Sequence, residues 1–234
     1  MRVAVIGLGG LGGPAARCLA AAGASLALFD GDRVEVHNLP RQTLFGSQDL
    51  GAPKASLAAA RLRALFPDAD VVAHDQRIEA DNLGLLDDCP IWVDATDQLA
   101  SKLFFSDRAV GLGRTLIHGG AIRSGGQVLG IVPGVGPCLR CLVDVGSEGE
   151  TCQSAGILGP VVALLGAEMA RMALRALRGE SVAGQFIAYD ALTAQLRSGV
   201  FSRREGCETC GRLSNREVAP AALPEQRRVI DGHR

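Results

Sequence analysis

The fold is decided at the start of the sequence, in MRVAVIGLGGLGGPAARCLAAAGASLALFDGD, residues 1–32. An apolar run, Val3–Ile6, is followed by a glycine-rich turn, and residues 12–22 predict a helix of small residues. A second apolar run, over residues 25–29, ends just before Asp30. Strand, glycine-rich turn, helix and strand in this order predict the first unit of a doubly wound parallel sheet.

The glycines of this turn have the spacing Gly-x-Gly-x-x-Gly that is typical of dinucleotide binding. Gly7 permits a tight turn, Gly9 lets backbone amides approach a phosphate, and Gly12 lets the helix lie close to the strand. Gly10 is a further glycine within the same turn, and Asp30 is placed to accept hydrogen bonds from ribose hydroxyls. The alternative is a plain glycine-rich turn. The motif favours NAD, FAD or an adenosine-type ligand and leaves the reaction open.

Composition sets limits on the class of protein. The chain has 234 residues, 47% of them hydrophobic and 21% charged, with a formal net charge of −1. This balance argues against a general nucleic-acid binder, which normally shows a basic excess. The longest apolar candidate for a membrane span, Ile157–Leu165, is too short and contains Gly159 and Pro160. The first apolar stretch lacks a basic leader region, so we expect a cytoplasmic protein that contacts neither membrane nor nucleic acid.

The rest of the sequence continues the alternation of strands and helices. The predicted elements, in chain order, are a helix over Lys54–Leu65, a strand DVVAH (70–74), a short helix over Asp81–Leu86, a strand IWVDAT (91–96), a helix over Leu99–Val110 and a strand TLIHGGAI (115–122). GGQVLGIVP (125–133) has no helix before it and is therefore predicted to pair antiparallel with the preceding strand. A long apolar helix over Gly156–Leu177 and two strands, QFIAYDA (185–191) and AQLRSGVF (194–201), follow.

These elements predict an α/β fold with a Rossmann-like, doubly wound, mostly parallel sheet and an antiparallel C-terminal extension. We expect a single domain over residues 1–213. Residues 214–234 are polar and contain two prolines, so a flexible tail is predicted there.

A polar segment over residues 31–51 follows the ribose acid and is too rich in Asn, Gln, Asp and Gly to be core. Asn38, Arg41 and Gln42 lie in it, and Lys54 follows it. A dinucleotide's pyrophosphate is satisfied mainly by backbone amides, whereas a triphosphate carries more charge and needs cations. Arg41 can grip phosphate oxygens in a fork, and Lys54 can act as a compact charge. The alternative is that each is a surface loop residue.

Two carboxylates end the fourth predicted strand, in the sequence VDATDQ. Ligands of doubly wound sheets bind at the carboxyl ends of the strands, and Mg²⁺ usually binds through one or two carboxylates plus phosphates. Asp97 is the better candidate for magnesium, since Asp94 is more simply a turn or cap residue.

Four of the seven cysteines form two C-x-x-C pairs, Cys138/Cys141 and Cys207/Cys210. Two such pairs together predict a closed four-thiolate zinc site of structural role, which would clamp the C-terminal segment onto the loop after the sixth strand. The alternative is two unrelated redox pairs. An odd cysteine count in a cytosolic chain argues against a disulfide framework.

The other three cysteines stand apart from these pairs. Cys152 lies in a loop before the long helix, where a thiol can have a lowered pKa and be nucleophilic, although a bystander role is equally supported. Cys18 and Cys89 are predicted to be packing residues.

Several motifs in one order resemble the ThiF/MoeB/HesA family, the bacterial relatives of ubiquitin-activating enzymes. They are Asp30-x-Asp32 after the glycine loop, NLPRQ (38–42), GAPKA (51–55), DATDQ (94–98), PCLRC (137–141), TCQSAG (151–156) and GCETC (206–210). The resemblance covers about residues 3–211. It implies ATP- and Mg²⁺-dependent adenylation of the C-terminal glycine of a small ubiquitin-like sulfur carrier that ends in Gly-Gly. The activated carrier then receives sulfur for thiamine, molybdopterin or another thio-product.

The resemblance also implies roles for individual residues. Asp30 and Asp32 would lie at the ribose end, Asn38 near the phosphates, and Gln42 around the reacting phosphate. The residues implied in catalysis are Arg41, Lys54, Asp97 and, in sulfur transfer, Cys152. The cysteine pairs would bind zinc. A homodimer and a separate sulfurtransferase are implied partners.

This sequence departs from the family pattern in three places. Many relatives have a helical segment before the glycine strand, TDQ (96–98) stands where TDN is usual, and Lys102 occupies a place often held by Arg. A carboxylate attacking phosphorus needs no general base, so the four scattered histidines (His37, His74, His118 and His233) are not required. The alternatives are an NAD-dependent oxidoreductase on the same fold and a non-catalytic carrier-binding homologue.

Overall fold

The computed structural model describes residues 1–143 and 156–211. Cys152 and the predicted tail over residues 214–234 lie outside them. The strands are β1 (Arg2–Ile6), β2 (Ser25–Phe29), β3 (Val71–His74), β4 (Ile91–Asp94), β5 (Thr115–Ile122), β6 (Gly125–Ile131), β7 (Gln185–Asp190) and β8 (Gln195–Val200). The helices are α1 (Gly12–Ala21), α2 (Lys54–Leu65), α3 (Leu99–Leu112) and α4 (Gly159–Leu177).

All eight strands form one sheet in the order β3-β2-β1-β4-β5-β6-β7-β8. β1 to β5 run parallel, and β6, β7 and β8 each pair antiparallel with the strand before them. The predicted fold class is therefore confirmed, with its antiparallel extension. Chain order reverses between β1 and β4, which is where ligands bind in sheets of this type.

The sheet separates two apolar cores. One lies between the sheet and α1, α2 and α4, and the other lies on the opposite face beside α3 and the cysteine pairs. β1 is buried on both faces, because Val3 and Val5 belong to the first core and Ala4 and Ile6 to the second. No helix among residues 1–143 and 156–211 combines the length and apolarity that a membrane crossing requires.

Three local predictions were wrong. The predicted helix over Asp81–Leu86 is a single 3₁₀ turn, Leu83–Leu86. The last helix begins at Gly159 instead of Gly156, because Gly156 has a left-handed φ of +68° and Ile157 bridges to Arg123. The segment over residues 31–51 contributes three residues to the core after all, namely Val34, Leu44 and Phe45. Its polar composition hid an apolar side that packs under the cleft.

Candidate functional site

A cleft of about 460 Å³ lies at the carboxyl ends of β1, β2 and β4. It collects ten of the eleven residues predicted to bind nucleotide, which are Gly7, Gly9, Gly10, Asp30, Asp32, Asn38, Arg41, Gln42, Lys54 and Asp97. The eleventh, Gly12, does not line the cleft. Residues from Gly7 to Asp97 in the sequence are thus brought together in one cleft.

The glycine loop is shaped by close backbone contacts. Gly7 has a φ of +87°, and a Cβ there would lie 2.9 Å from the carbonyl oxygen of Ala95. A Cβ on Gly12 would lie only 1.8 Å from the carbonyl oxygen of Gly7, so α1 begins directly against the loop. A Cβ on Gly9 would make only an ordinary contact, 3.6 Å from Gln42 Nε2. The loop therefore presents bare backbone to the cleft.

α1 begins at the cleft without a capping side chain among the described residues. It starts after Leu11 and has no acidic residue in its first turn. α2, which starts after Pro53, differs, because the N–H of Ser56 in its first turn donates to Asp75 Oδ1 (2.9 Å). The first N–H groups of a helix have no partner within the helix and carry a partial positive charge. The start of α1 is therefore suited to hold a polyanion.

Asp30 directly follows β2 and faces the glycine loop. Its two carboxylate oxygens accept hydrogen bonds from the backbone N–H groups of Leu8 (2.7 Å) and Asp32 (2.8 Å). Burial raises the pKa of Asp30, against the lowering effect of Lys54 and of these two amides. Each oxygen keeps a lone pair for a hydroxyl donor, and this geometry is compatible with a ribose.

Asp32 joins two cations at the edge of the cleft. Its oxygens lie 3.3 Å from Lys54 Nζ and 2.6 Å from Arg77 Nη2. Burial opposes ionisation of Asp32, but Arg77 and Lys54 outweigh it and lower the pKa of the carboxyl. The Lys54 side chain is only 6% exposed, whereas that of Arg77 is 66% exposed. The sequence interpretation missed Arg77, which follows β3 outside any recognised motif.

The segment after β2 folds into a 3₁₀ turn, Val36–Asn38, that supports the other predicted residues. Asn38 is buried, and its Oδ1 accepts a hydrogen bond from the N–H of Glu35 (3.1 Å). Its carbonyl accepts from the N–H groups of Arg41 (3.1 Å) and Gln42 (3.0 Å). The Arg41 guanidinium donates to the carbonyl oxygen of His37 (2.7 Å) and lines the cleft.

Gln42 supplies a test of whether a polar ligand fits this cleft. Its side chain is buried, and Oε1 has no hydrogen-bond partner among the described residues. An unpaired buried polar oxygen is costly, so a partner is expected from a ligand or a solvent molecule. With the bare backbone of the glycine loop and the uncapped start of α1, the cleft fits a phosphate-bearing nucleotide.

The loop after β4 places its two carboxylates differently. Asp97 is exposed and lines the cleft, where a carboxylate could meet a metal ion held by phosphates. Asp94 is fully buried, and its Oδ1 accepts from the N–H (3.1 Å) and Oγ1 (2.7 Å) of Thr96. The interpretation of Asp94 as a turn residue is confirmed.

Asp94 also pairs with a histidine that the sequence interpretation set aside. Asp94 Oδ2 lies 3.0 Å from His118 Nδ1, and both side chains are buried. Lys102, on α3, is also buried and donates to the carbonyl oxygen of Gly119 (2.5 Å). Burial opposes ionisation of Asp94, but Lys102 and His118 outweigh it and lower the pKa of Asp94 to about 2.

His118 and Lys102 line a second cavity of about 620 Å³, which we call the sheet cavity. It covers one face of β5 to β8, and its lining residues include Leu99, Lys102, His118, Gly120, Ile122, Gln127, Leu139, Val143, Tyr189 and Arg197. The cleft and the sheet cavity share two lining residues, Asp97 and Ala121. The two cavities therefore adjoin at Asp97 and Ala121.

The four predicted zinc ligands form one cluster, with all four sulfurs within 4.8 Å of one another. Cys138 Sγ lies 3.6 Å from Cys207 Sγ, and Cys141 Sγ lies 3.3 Å from Cys210 Sγ. Sulfurs about 2.3 Å from one tetrahedral zinc ion lie about 3.8 Å apart. The cluster therefore fits a four-thiolate zinc site.

The surroundings of Cys138 and Cys207 shift the pKa values of these two thiols in different directions. Burial raises the pKa of Cys138. Burial also opposes ionisation of Cys207, but the backbone N–H groups of Cys210 and Thr209 outweigh it and lower the pKa of this thiol to about 6. Arg140, between the first pair, donates to both oxygens of Asp107 on α3 and fixes the turn.

The two cysteines predicted to be packing residues differ. Cys89 is buried in the second core, as predicted. Cys18 is exposed, so that prediction was wrong. Its neighbours Ala16 and Leu19 face the core, and position 18 falls on the opposite side of α1.

Comparison with known proteins identifies relatives over nearly the whole chain. The sequence profile of the ThiF family matches residues 1–209. The Sulfur carrier protein ThiS adenylyltransferase of Escherichia coli K12 is 38% identical over 215 residues, covering 90% of this chain and 86% of that protein. The Sulfur carrier protein adenylyltransferase of Thermus thermophilus is also 38% identical, over 98% of this chain and 85% of that protein. The Molybdopterin-synthase adenylyltransferase of E. coli K12 is 34% identical, over 90% and 87%.

Solved structures with the same fold are more distant in sequence. The crystal structure of E. coli MccB with ATP has a TM-score of 0.78 at 22% identity, covering 90% of this chain and 67% of that one. The structure of MccB with MccA-N7isoASN has a TM-score of 0.79 at 23% identity, and there the chain spans 66% of the neighbour's length. At these identities the likeness shows the fold alone.

Proposed function

The chain belongs to the ThiF family, and from that premise we propose that it uses ATP to adenylate the C-terminal glycine of a ubiquitin-fold sulfur carrier ending in Gly-Gly. Its relatives bear the names of sulfur carrier and molybdopterin-synthase adenylyltransferases. The observation that carries the proposal is the gathering of Arg41, Lys54 and Asp97 around one glycine loop. An oxidoreductase binding NAD has no use for these three together.

The polar groups of the cleft suit a nucleoside triphosphate with magnesium. Asp30 would accept from the ribose hydroxyls, while the glycine loop and the start of α1 would hold phosphate through backbone N–H groups. Arg41 and Lys54 would bind phosphate oxygens, and Gln42 would satisfy its unpaired oxygen around the reacting phosphate. Asp97 would hold Mg²⁺, which when bound neutralises charge on the phosphate oxygens.

The chemistry asks the protein for alignment and charge compensation. The carrier's terminal carboxylate is already ionised and attacks the α-phosphorus without a general base, and pyrophosphate leaves. Arg41 and Lys54 would compensate the charge that builds on the leaving oxygens. Lys54 is held by Asp32 before ATP arrives, and Arg77 remains as the partner of Asp32 when Lys54 turns to phosphate.

The carrier's tail would reach the α-phosphate through the sheet cavity. This cavity adjoins the cleft at Asp97 and Ala121, and on the antiparallel half it is lined by glycines, apolar side chains and polar ones such as Gln127 and Arg197. Its position next to the cleft supports a path for an extended chain that ends beside the phosphates. The segment over residues 31–51 forms the other side of the cleft.

The cysteine cluster would hold a structural zinc ion. Four thiolates leave no open coordination position for a substrate. The ion would tie the turn at Cys138 and Cys141, which packs on α3, to the segment at Cys207 and Cys210. The role of Cys152 in sulfur transfer stays a prediction, as do the single domain over residues 1–213 and the tail over 214–234.

We also propose that the protein is a homodimer. Support comes from apolar side chains exposed on one side of the sheet, which are Leu164 on α4 and Leu196 and Val200 on β8. Light scattering of the purified protein should give twice the chain mass, and a monomer mass would contradict the proposal. A separate sulfurtransferase and the thiamine or molybdopterin pathway are finer proposals, which the neighbouring genes would test.

The adenylation is tested by ATP–pyrophosphate exchange with candidate Gly-Gly carriers. We expect carrier-dependent exchange in the wild type, and a fall of about 100-fold or more in Arg41→Ala and in Asp97→Ala, since each removes charge compensation. The matched controls are Arg17→Ala and Asp68→Ala, which change the same residue types at exposed positions away from the cleft. All four variants should retain their zinc.

Three results would contradict the proposal in different ways. Exchange that survives both cleft variants would mean that the site residues are wrong. Carrier binding without exchange would indicate a non-catalytic homologue. NADH binding in preference to ATP would favour the oxidoreductase.

A further inference from the structure

The adenylation chemistry leaves one buried group without a use, the histidine on β5. His118 is 3% exposed and lies on the floor of the sheet cavity, and its Nδ1 faces Asp94 Oδ2 at 3.0 Å. A carboxylate attacking phosphorus needs no base, so this pair has no part in the steps derived above.

The carboxylate that holds the histidine is itself fixed. Asp94 Oδ1 is occupied by both hydrogen bonds from Thr96, and Lys102 supplies a positive charge nearby. The imidazole is therefore kept in one orientation by Oδ2. Because Nδ1 faces a carboxylate, it is the nitrogen that carries the proton.

The other ring nitrogen faces the sheet cavity. Nε2 has no hydrogen-bond partner among the described residues, and it is then a lone-pair acceptor. The neighbouring Gly120 leaves the space above it open, since even a Cβ there would stop 3.8 Å from Nε2. Burial and Lys102 lower the pKa of His118, although Asp94 acts in the opposite direction. The lowered pKa keeps the imidazole neutral, so that Nε2 remains an acceptor.

A neutral acceptor in a cavity with many apolar lining groups favours a neutral donor. A tail that ends in Gly-Gly has no side chains to offer there, so its donors are its backbone N–H groups. The sheet cavity meets the cleft at Asp97, next to the loop that carries Asp94. The last residues of such a tail would thus pass over β5 before their carboxylate reaches the phosphates.

We propose that His118 Nε2 accepts a hydrogen bond from a backbone N–H of the last two residues of the carrier, and so fixes the register of the terminal carboxylate. Asp94 and Lys102 position the imidazole. The inference rests on the proposed function and deepens it, because it makes a peptide N–H at one tail position a requirement of the substrate.

The test uses the Gly-Gly carrier that supports exchange, made by ligating a synthetic C-terminal peptide. Three versions end in Gly-Gly, sarcosine-Gly or Gly-sarcosine, since sarcosine replaces the N–H by N–CH₃. With the wild-type enzyme we expect one sarcosine version to raise the carrier KM at least tenfold, while the ATP KM changes less than twofold.

Two size-matched variants assign that effect to the histidine. His118→Met removes the acceptor and should raise the KM for the Gly-Gly carrier about tenfold, with no further penalty from sarcosine at the sensitive position. His118→Gln keeps a donor for Asp94 and an acceptor for the tail, and should recover most of the affinity. His74→Met, at a histidine outside both cavities, is the control.

The outcomes distinguish a failure of the role of His118 from a failure of the proposed adenylation. If the wild-type enzyme uses both sarcosine carriers as well as the Gly-Gly carrier, the inference is overturned even if no variant folds. It is also overturned if His118→Met keeps the full sarcosine penalty. If no carrier supports exchange in the wild type, the proposed function itself fails, and this inference falls with it.

Discussion

The nucleotide cleft and the sheet cavity are neighbours that share Asp97 and Ala121, but they are built in opposite ways. The cleft presents cations and the uncapped start of α1 at the carboxyl edge of parallel strands. The floor of the sheet cavity, on β5 and β6, buries Asp94 and Lys102 beneath a neutral histidine, and the charged side chains of Asp97, Asp190 and Arg197 also line the cavity. This difference agrees with our proposal of a polyanion in the first and a peptide backbone in the second.

Removal of the proposed zinc ion should have the largest effect and should distinguish the two cavities. Leu139 and Val143, in the cavity wall, lie on the turn of Cys138 and Cys141. We expect a strong chelator to cost a large part of an unfolding free energy of about 5–15 kcal/mol. Carrier KM should rise before ATP KM does. Calorimetry and exchange kinetics with and without added zinc measure this, and equal losses in both cavities would contradict the separation.

A methyl group at the glycine loop should damage the cleft instead. Gly12→Ala places its Cβ 1.8 Å from the carbonyl oxygen of Gly7, which we expect to cost about 3 kcal/mol and to weaken ATP binding. Gly111→Ala is the control, because that position on α3 has open space and should gain about 1 kcal/mol. Urea titration gives both values. Stabilisation by both changes would show that helix propensity, and not the close approach at Gly12, decides the effect.

The buried histidine should give the sheet cavity a signature in acid. Burial and Lys102 lower the pKa of His118 below its ordinary 6.5, so the unfolded chain takes up a proton that the folded one refuses. Folding stability should therefore fall as the pH drops from about 6.5, by at most about 1.4 kcal/mol per pH unit. The paired Asp94, with its pKa of about 2, loses its contribution only below its ordinary 3.8. Urea titrations at pH 5 to 7 should give a flatter profile for His118→Gln, and an unchanged profile would contradict the assignment.

The smallest expected effect belongs to the exposed edge of the cleft. Arg77→Ala leaves Asp32 with Lys54 as its cation, which should hold Lys54 away from phosphate and raise ATP KM about threefold. Because the Arg77 side chain is 66% exposed, the ion pair itself is worth about 1 kcal/mol or less. Exchange kinetics at varied ATP measure the effect, with Arg17→Ala as the control. A raised carrier KM with an unchanged ATP KM would contradict the assignment of Arg77 to the nucleotide cleft.

The same contrast explains what the sequence could predict. The cleft residues follow strand ends and belong to short motifs, so Asp30, Arg41 and Lys54 could be named before any coordinates. The cysteine pairs have spacing that indicates a shared metal, and the cluster matches it. The pair of Asp94 and His118 could not be found, because it joins residues on adjacent strands with no fixed spacing between them.

Errors of the sequence interpretation have equally local causes. The exposure of Cys18 depends on which side of a small-residue helix faces the core, and alanines on several sides hide that choice. The apolar residues under the cleft were hidden by the polar ones around them. Arg77 lies in a loop and belongs to no motif. Its position beside the cleft depends on a contact that only the fold shows, since a Cβ on Gly31 would lie 2.9 Å from Arg77 Cγ.

The cysteine cluster also has a consequence for biosynthesis. Cys138 and Cys207 are 69 positions apart, and Cys210 lies next to the end of the described residues, at position 211. As a chain leaves the ribosome from its N-terminus, β1 to β5 can assemble while the later thiols are still untranslated. A zinc ion bound by these thiols would close the molecule as a late maturation step, so a cell starved of zinc would accumulate newly made chains whose sheet is formed but whose sheet-cavity wall at Leu139 and Val143 is loose.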